Sequence, residues 1–550
     1  MAQFTRMPKW IILFGFLALC LPAFSEEALE GKPMADEIPS VADCIPPWVF
    51  AAAKPSPFPF NNGLVIAIIA ANETAQIHTL QGLNHLHAGW DFEAIRHFSL
   101  AMEADPRCMM AHWGMIMGML GTSPETDSYR LSASQRLLQL VADGEGTELE
   151  RGFAYSLIKY IEEGPKGAEI AFRKVSERFP QDIQSQIFAA LFSRGGYDLM
   201  GKITAAQSEA EKRMLELVER LPSNSIPLHA YLLIRAEAPD LKASVELAAK
   251  LCELAPKYPP YLHLLGHYQW RNGEFDAAVS SFSLAESLYA EWMRSNKIAP
   301  ADCPAWIRSK SYLAIATASA GNFKDAIALA TEISKIPLDP KRPLSPGNRQ
   351  ILWDAQTLAA RVILYRGGKS DPTEALVTLP TPDSREPYRK HSLSHWWTDG
   401  LRIALQTYRM INAGDMKSAT DTINTLSFHG ESMAKQQSIA STRGEYAEWR
   451  RALLNLEMLT ANLRGHLALA GPPKNQGSAF NWFRAAADRQ RTSASMYPPL
   501  ILTPMANDLG DYFLSIKQPE KALEAYEEAI AKFPNETSTL ERIKKTKDPR

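Results

Sequence analysis

The sequence predicts an all-α fold, an α-solenoid of stacked helical hairpins in two arrays. Three observations carry this. From Gly63 onward, apolar residues recur every three or four positions in stretches of about 12 to 18 residues, the period of an amphipathic helix. Short Gly, Pro, Asn and Asp breaks separate these stretches, and the apolar–polar alternation that half-buried strands need is nearly absent. One spacing is also written three times. Gly82 is followed by Ala94, Phe98, Ala101 and Pro106 at offsets of 12, 16, 19 and 24. Gly266 is followed by Ala278, Phe282 and Ala285 at the first three offsets, and Gly510 by Ala522, Tyr526, Ala529 and Pro534 at all four.

Each position has a mechanical reason. A glycine on the first helix lets the second approach closely, the alanines and the aromatic ring interlock across the pair, and the proline ends the second helix. A hairpin of this kind cannot bury its apolar face alone, so copies must stack. Weaker copies fit between the clear ones: Ala168, Phe172 and Pro180; Leu313, Ala314 and Ala326; and a further second helix through Ala419, with Pro222 and Pro256 closing successive helices.

In chain order, residues 1–25 read as a signal peptide, because Arg6 and Lys9 precede an apolar run from Trp10 to Phe24 that ends in small residues. The run is short for a bilayer span, so a cleaved export signal and a periplasmic or secreted product are expected, with no integral membrane span after cleavage. Residues 26–60 are an acidic, then proline-rich leader. Residues 61–340 form the N-terminal array, 341–390 an irregular proline-rich connection with one helix, and 391–550 the C-terminal array.

Composition narrows the function. A formal charge of −2 over 550 residues leaves no basic excess to hold a phosphate backbone, so no nucleic-acid partner is expected. Beyond Cys20 in the signal, Cys44, Cys108, Cys252 and Cys303 are widely scattered, which leaves buried thiols and disulfides both open. No HExxH, GxSxG or GxGxxG occurs. RGGKS at 366–370 lacks the first glycine of a phosphate loop, because Ile363 stands there.

With these spacings in place, the repeats resemble the tetratricopeptide repeat (TPR), a helical hairpin of about 34 residues. The stretch carrying Gly82, Leu83, Leu86, His87, Glu93, Ala94, Phe98, Asp105, Pro106, Ala111, Trp113 and Gly114 is similar to the first repeat of a group of exported bacterial TPR proteins. HLLGH at 263–267 resembles that group's HMPSH, although Leu264, Leu265 and Gly266 replace its internal residues, and HWWTDG at 395–400 resembles its WHYARG. The resemblance implies a right-handed superhelix and an exported repeat scaffold whose ligand is generally unassigned. The reading preferred for this chain is a scaffold that binds a protein or peptide along its groove, with no catalysis and no cofactor.

The repeat frame then assigns candidate residues. With Gly266 at the packing position, His263, His267 and Trp270 fall on another stripe of the same helix, within about 60° of one another. In TPR proteins that stripe lines the concave groove. Arg271 lies at its border, Arg308 and Ser311 correspond in the next repeat, and Asn507 and Asp511 in the last. Imidazoles, an indole and guanidinium groups suit an acidic or aromatic peptide. The same residues can instead fill a tight superhelix and bond to one another. A third reading makes His263 and His267, four apart, two ligands of a metal-binding protein or metal-dependent enzyme, with a third from His87, His112 or a carboxylate. His85 occupies an aromatic packing position and reads as a satisfied core imidazole; His391 and His395, beside Trp396 and Trp397, read as core packing.

Overall fold

In a computed structural model of the chain, the described residues are 38–548 apart from 61–62, 121–122, 198–201, 369, 438–444, 473–475 and 493–496. The predicted signal peptide, the first part of the leader and Lys369 of RGGKS lie outside them. The chain is all-α: helices that follow one another in sequence pack together as hairpins. Among the described residues the only β feature is an isolated bridge between Tyr197 and Ile203.

The first clear hairpin shows how the sequence builds one. Asn72 caps helix Glu73–His87, its side chain accepting from the Ala75 amide at 2.9 Å. The chain reverses at Gly89, whose φ of 71° is left-handed, and returns as helix Asp91–Ala104. Phe98 is fully buried against the backbone of Gly82; a Cβ there would stand 2.5 Å from the ring. The same contact recurs at Gly266 against Phe282, at 2.9 Å, and at Gly510 against Tyr526, at 2.2 Å. The turn recurs as well. Gly273 and Lys517 occupy the position of Gly89 in their repeats, with φ of 78° and 61°. A fourth copy joins Gly465 to Phe483, where an added Cβ would lie 2.5 Å from the ring.

The chain divides into two compact units, one holding the described residues through Tyr261 with Arg294–Ile298, the other Leu262–Met293 with Ala299 onward. The first has an aromatic core in which Trp113 meets Phe153 and Phe188 edge-on, Phe153 meets Phe172 edge-on and Phe172 stacks on Phe188, with Trp113 Nε1 donating to the Phe153 carbonyl at 3.0 Å. The leader residues Phe58 and Phe60 pack on Tyr258 within this unit. In the second unit, residues 341–390 are largely helical: Pro346, Pro372 and Pro382 stand in the first turns of helices Pro346–Gln350, Asp371–Thr378 and Pro382–Arg389. Proline is suited to that position because its missing N–H would be unpaired there in any case. Trp353, Leu358 and Val362, from the same stretch, sit in the core of the unit. Cys44, Cys108, Cys252 and Cys303 are free thiols.

Candidate functional site: a filled interior and an exposed aromatic edge

The residues assigned to the groove come together around Tyr312 of helix Pro304–Ser319. The rings of His263 and His267 lie 5.5 Å from the Tyr312 ring, Trp270 at 5.8 Å, and Phe282 stacks on it at 5.2 Å. His263 Nδ1 pairs with Ser309 Oγ at 2.9 Å, and Trp270 Nε1 donates to Ser319 Oγ at 3.0 Å. His263, His267 and Trp270 thus lie on one side of their helix, against Tyr312 of the next hairpin. His263, His267, Trp270, Arg271 and Ser311 are all buried, while Arg308 is half-buried.

Asn507 and Asp511 serve the end of the array. Asn507 Oδ1 accepts from Thr539 Oγ1 at 2.8 Å, and Asp511 receives the Tyr526 hydroxyl at 2.6 Å and Arg542 Nε at 3.1 Å. Both residues thus fasten helix Thr537–Lys547 to the hairpin before it. Of the second histidine pair, both rings are half-buried; His395 Nδ1 meets the Ser392 carbonyl at 3.1 Å, and the neighbouring Trp397 is fully buried.

His267 is fully buried, and neither ring nitrogen has a hydrogen-bond partner among the described residues. Burial, with Arg271 and His263 alongside, holds its pKa far below the usual imidazole value, so the ring is neutral. Among the described residues no third His, Cys, Asp or Glu joins His263 and His267 as a ligand set, and the one set of three is His85, Glu93 and His97. His87 and His112 are engaged elsewhere, with Gln184 Oε1 at 3.1 Å and the Pro106 carbonyl at 2.9 Å.

What the sequence reading missed is at the surface of the second unit. Helix Ala479–Arg489 buries Phe483 and leaves Phe480 and Trp482 37% and 36% exposed. Phe480 meets the Phe513 ring at 5.8 Å, and beyond it Leu514 and Ile516 are also exposed. Cations stand on two of these rings, Lys521 Nζ 5.8 Å from Phe513 and the Arg464 guanidinium 5.0 Å from Trp482. The signal was FNWF at 480–483: at about 100° per residue, a core position at Phe483 turns Trp482 to the side of the helix and leaves Phe480 at the margin of the buried face.

No known family profile matches the sequence. No curated protein shows significant similarity to it. Among solved structures, the chain is similar to the P58(IPK) TPR domain at 14% identity and a TM-score of 0.21, covering 86% of this chain and 97% of that one. It is also similar to yeast Tom70 at 11% identity and a TM-score of 0.26, covering 87% and 89%, and to the APC/C Cut9–Hcn1 hetero-tetramer at 11% and 0.29, covering 86% and 90%. At TM-scores this low the likenesses carry no argument about sites or partners, and the all-α architecture rests on the chain's own hairpins.

Proposed function

We propose that the protein is an exported repeat scaffold that holds a protein or peptide partner and does no chemistry of its own. The observation that supports this most is the exposed edge of Phe480, Leu514 and Ile516, with the half-buried Phe513 ring and Lys521 beside it, mounted on hairpins whose interiors are filled. Rings set on rigid helices lose little conformational freedom when covered, and a neighbouring ammonium adds attraction for carboxylates. The partner this edge suits is a peptide segment with apolar or aromatic side chains and an acidic residue. The residues first assigned to the groove take the other role weighed for them, filling and bracing the stack.

Selection from a displayed random-peptide library, followed by fluorescence anisotropy with synthetic peptides, tests the reading. Enriched sequences combine acidic and aromatic residues, and Phe480→Ala with Phe513→Ala weakens their binding at least tenfold while helical content is unchanged. Failure to enrich any sequence, or binding indifferent to both substitutions, overturns it.

A further inference from the structure

The first hairpin carries a polar cluster that its sister repeats lack. Three residues, His85 on helix Glu73–His87 and Glu93 and His97 on Asp91–Ala104, place one donor atom each within 4.8 Å of the others, and all three are buried. His85 Nε2 and His97 Nε2 are buried without a hydrogen-bond partner among the described residues. The outer nitrogens are occupied: His85 Nδ1 meets the Tyr258 hydroxyl at 2.8 Å, and His97 Nδ1 meets His78 Nδ1 at 2.8 Å. If each Nδ1 donates outward, both Nε2 lone pairs face the cluster. That is the arrangement by which ligand histidines are oriented, the far nitrogen tied to an outer partner. Arg96 engages Glu93 Oε2, and Glu93 Oε1 stands 3.9 Å from His97 Nε2.

The repeat frame shows that the hairpin does not need these residues. Positions equivalent to His85, Glu93 and His97 are Gln269, Ala277 and Ser281 in the second clear repeat and Phe513, Lys521 and Ala525 in the third. Gln269 and Ser281 satisfy each other directly, with Ser281 Oγ donating to Gln269 Oε1 at 2.7 Å. The equivalent pair in the first repeat, His85 and His97, has rings stacked at 5.1 Å with both Nε2 atoms left over. Leaving two buried nitrogens without partners is costly unless something else fills the coordination.

We propose that His85, Glu93 and His97 bind a single divalent cation of the zinc class inside the N-terminal unit. Two imidazoles and a carboxylate are a zinc-type donor set with a fourth position left for another ligand. Donors at a tetrahedral zinc stand about 3.3 Å apart, given bonds of ~2.0–2.1 Å, so the side chains draw together by roughly an ångström on binding. Arg96 keeps Glu93 Oε2 and presents Oε1, acting as a positioning residue; its guanidinium is shared with the Ala53 carbonyl and with Asn296 Oδ1 at 2.6 and 2.7 Å. The fully covered site makes the ion a brace across the first hairpin, independent of where a partner docks.

The untagged full chain, stripped with chelator, is titrated with Co²⁺ and then Zn²⁺. One equivalent of Co²⁺ gives visible ligand-field absorption, and one equivalent of Zn²⁺ displaces it. His97→Gln and Glu93→Gln each weaken binding at least tenfold with unchanged circular dichroism, and His263→Ala leaves it intact. Should His97→Gln unfold the hairpin, Glu93→Gln, which keeps shape and volume, carries the test. Absence of saturable binding by the unaltered chain, or affinity unchanged in Glu93→Gln, overturns the proposal.

Discussion

The N-terminal unit buries five imidazoles and the Arg96–Glu93 pair, whereas the C-terminal unit buries two, His263 and His267, and has several guanidinium–carboxylate pairs. In the first, His85, His87, His97, His112 and His229 are all buried. Burial pushes the pKa of His85 and His229 down to about 3 and of His87 and His112 to about 4, so these rings are neutral hydrogen-bonding groups. In the second, Arg451 meets the buried Asp354 at 2.5 Å, Arg349 meets Glu448 at 2.6 Å, and Arg342 meets Asp302 at 2.7 Å. The same hairpin geometry therefore tolerates two kinds of polar interior, and they respond differently to acid and to deletion.

The largest expected effect is acid sensitivity concentrated in the first unit. Unfolded histidines take up protons below about pH 6.5, while these folded rings refuse them until about pH 4 or 3. The unfolded state therefore binds more protons in that window, and stability falls as pH drops from 6.5 toward 4, by up to about 3 kcal/mol per ring. The second unit has a partial offset. Burial lowers the pKa of His267 and His395, whereas at His466 the charge and hydrogen bond of Asp508 outweigh burial and raise it. The His466 contribution is thus full below about pH 6.5 and lost as pH rises through the folded value. Pulsed hydrogen exchange at pH 7 and pH 5, read region by region, should show residues 73–235 opening first at the lower pH; equal loss in both units would erase the contrast.

Deleting a charge should hurt the second unit next most. Asp354→Ala strands Arg451 and removes the acceptor that Gln350 Nε2 donates to at 2.7 Å, for a loss of about 3 kcal/mol in urea unfolding. A change below about 1 kcal/mol would mean that the pair is solvated as a surface bridge is.

The packing contact should be indifferent to the kind of interior. Gly82→Ala and Gly510→Ala each push a methyl into a buried ring, and the overpacking, after the gain of about 1 kcal/mol in helix propensity, leaves a net loss of about 2 kcal/mol in either unit. Thermal unfolding of the two variants side by side checks that equality. The smallest effect is a gain: Lys517 adopts the left-handed turn that Gly89 and Gly273 occupy, so Lys517→Gly should stabilise the last hairpin by about 1 kcal/mol. A loss in Tm instead would show that the lysine side chain contributes more than its backbone costs.

These particulars also show what the sequence could reveal. Close helix approach demands a small residue and a ring at fixed separation, so Gly82 with Phe98, Gly266 with Phe282 and Gly510 with Tyr526 were legible. The fourth copy was not, because Gly465 and Phe483 stand eighteen residues apart where the others stand sixteen, the loop near Pro472 having lengthened the spacing. The turn seven residues after each repeat glycine was hidden by Lys517, which takes a glycine's conformation without being one. Helical phase placed His263, His267 and Trp270 on one stripe, yet whether that stripe stays open depends on Tyr312, which phase alone does not locate. His85 and His97 belong to facing helices, and a spacing of twelve across a turn matches no local ligand motif.

The central claim is that partners dock on the aromatic edge of the second unit while the polar stripe around Tyr312 braces the stack. Hydrogen exchange with and without a library-selected peptide tests it most directly. The account predicts slowed exchange in helices Ala479–Arg489 and Met505–Ser515 and no change in Pro259–Arg271 or Pro304–Ser319. Protection confined to the latter pair would contradict it and return the binding surface to His263, Trp270 and Arg308.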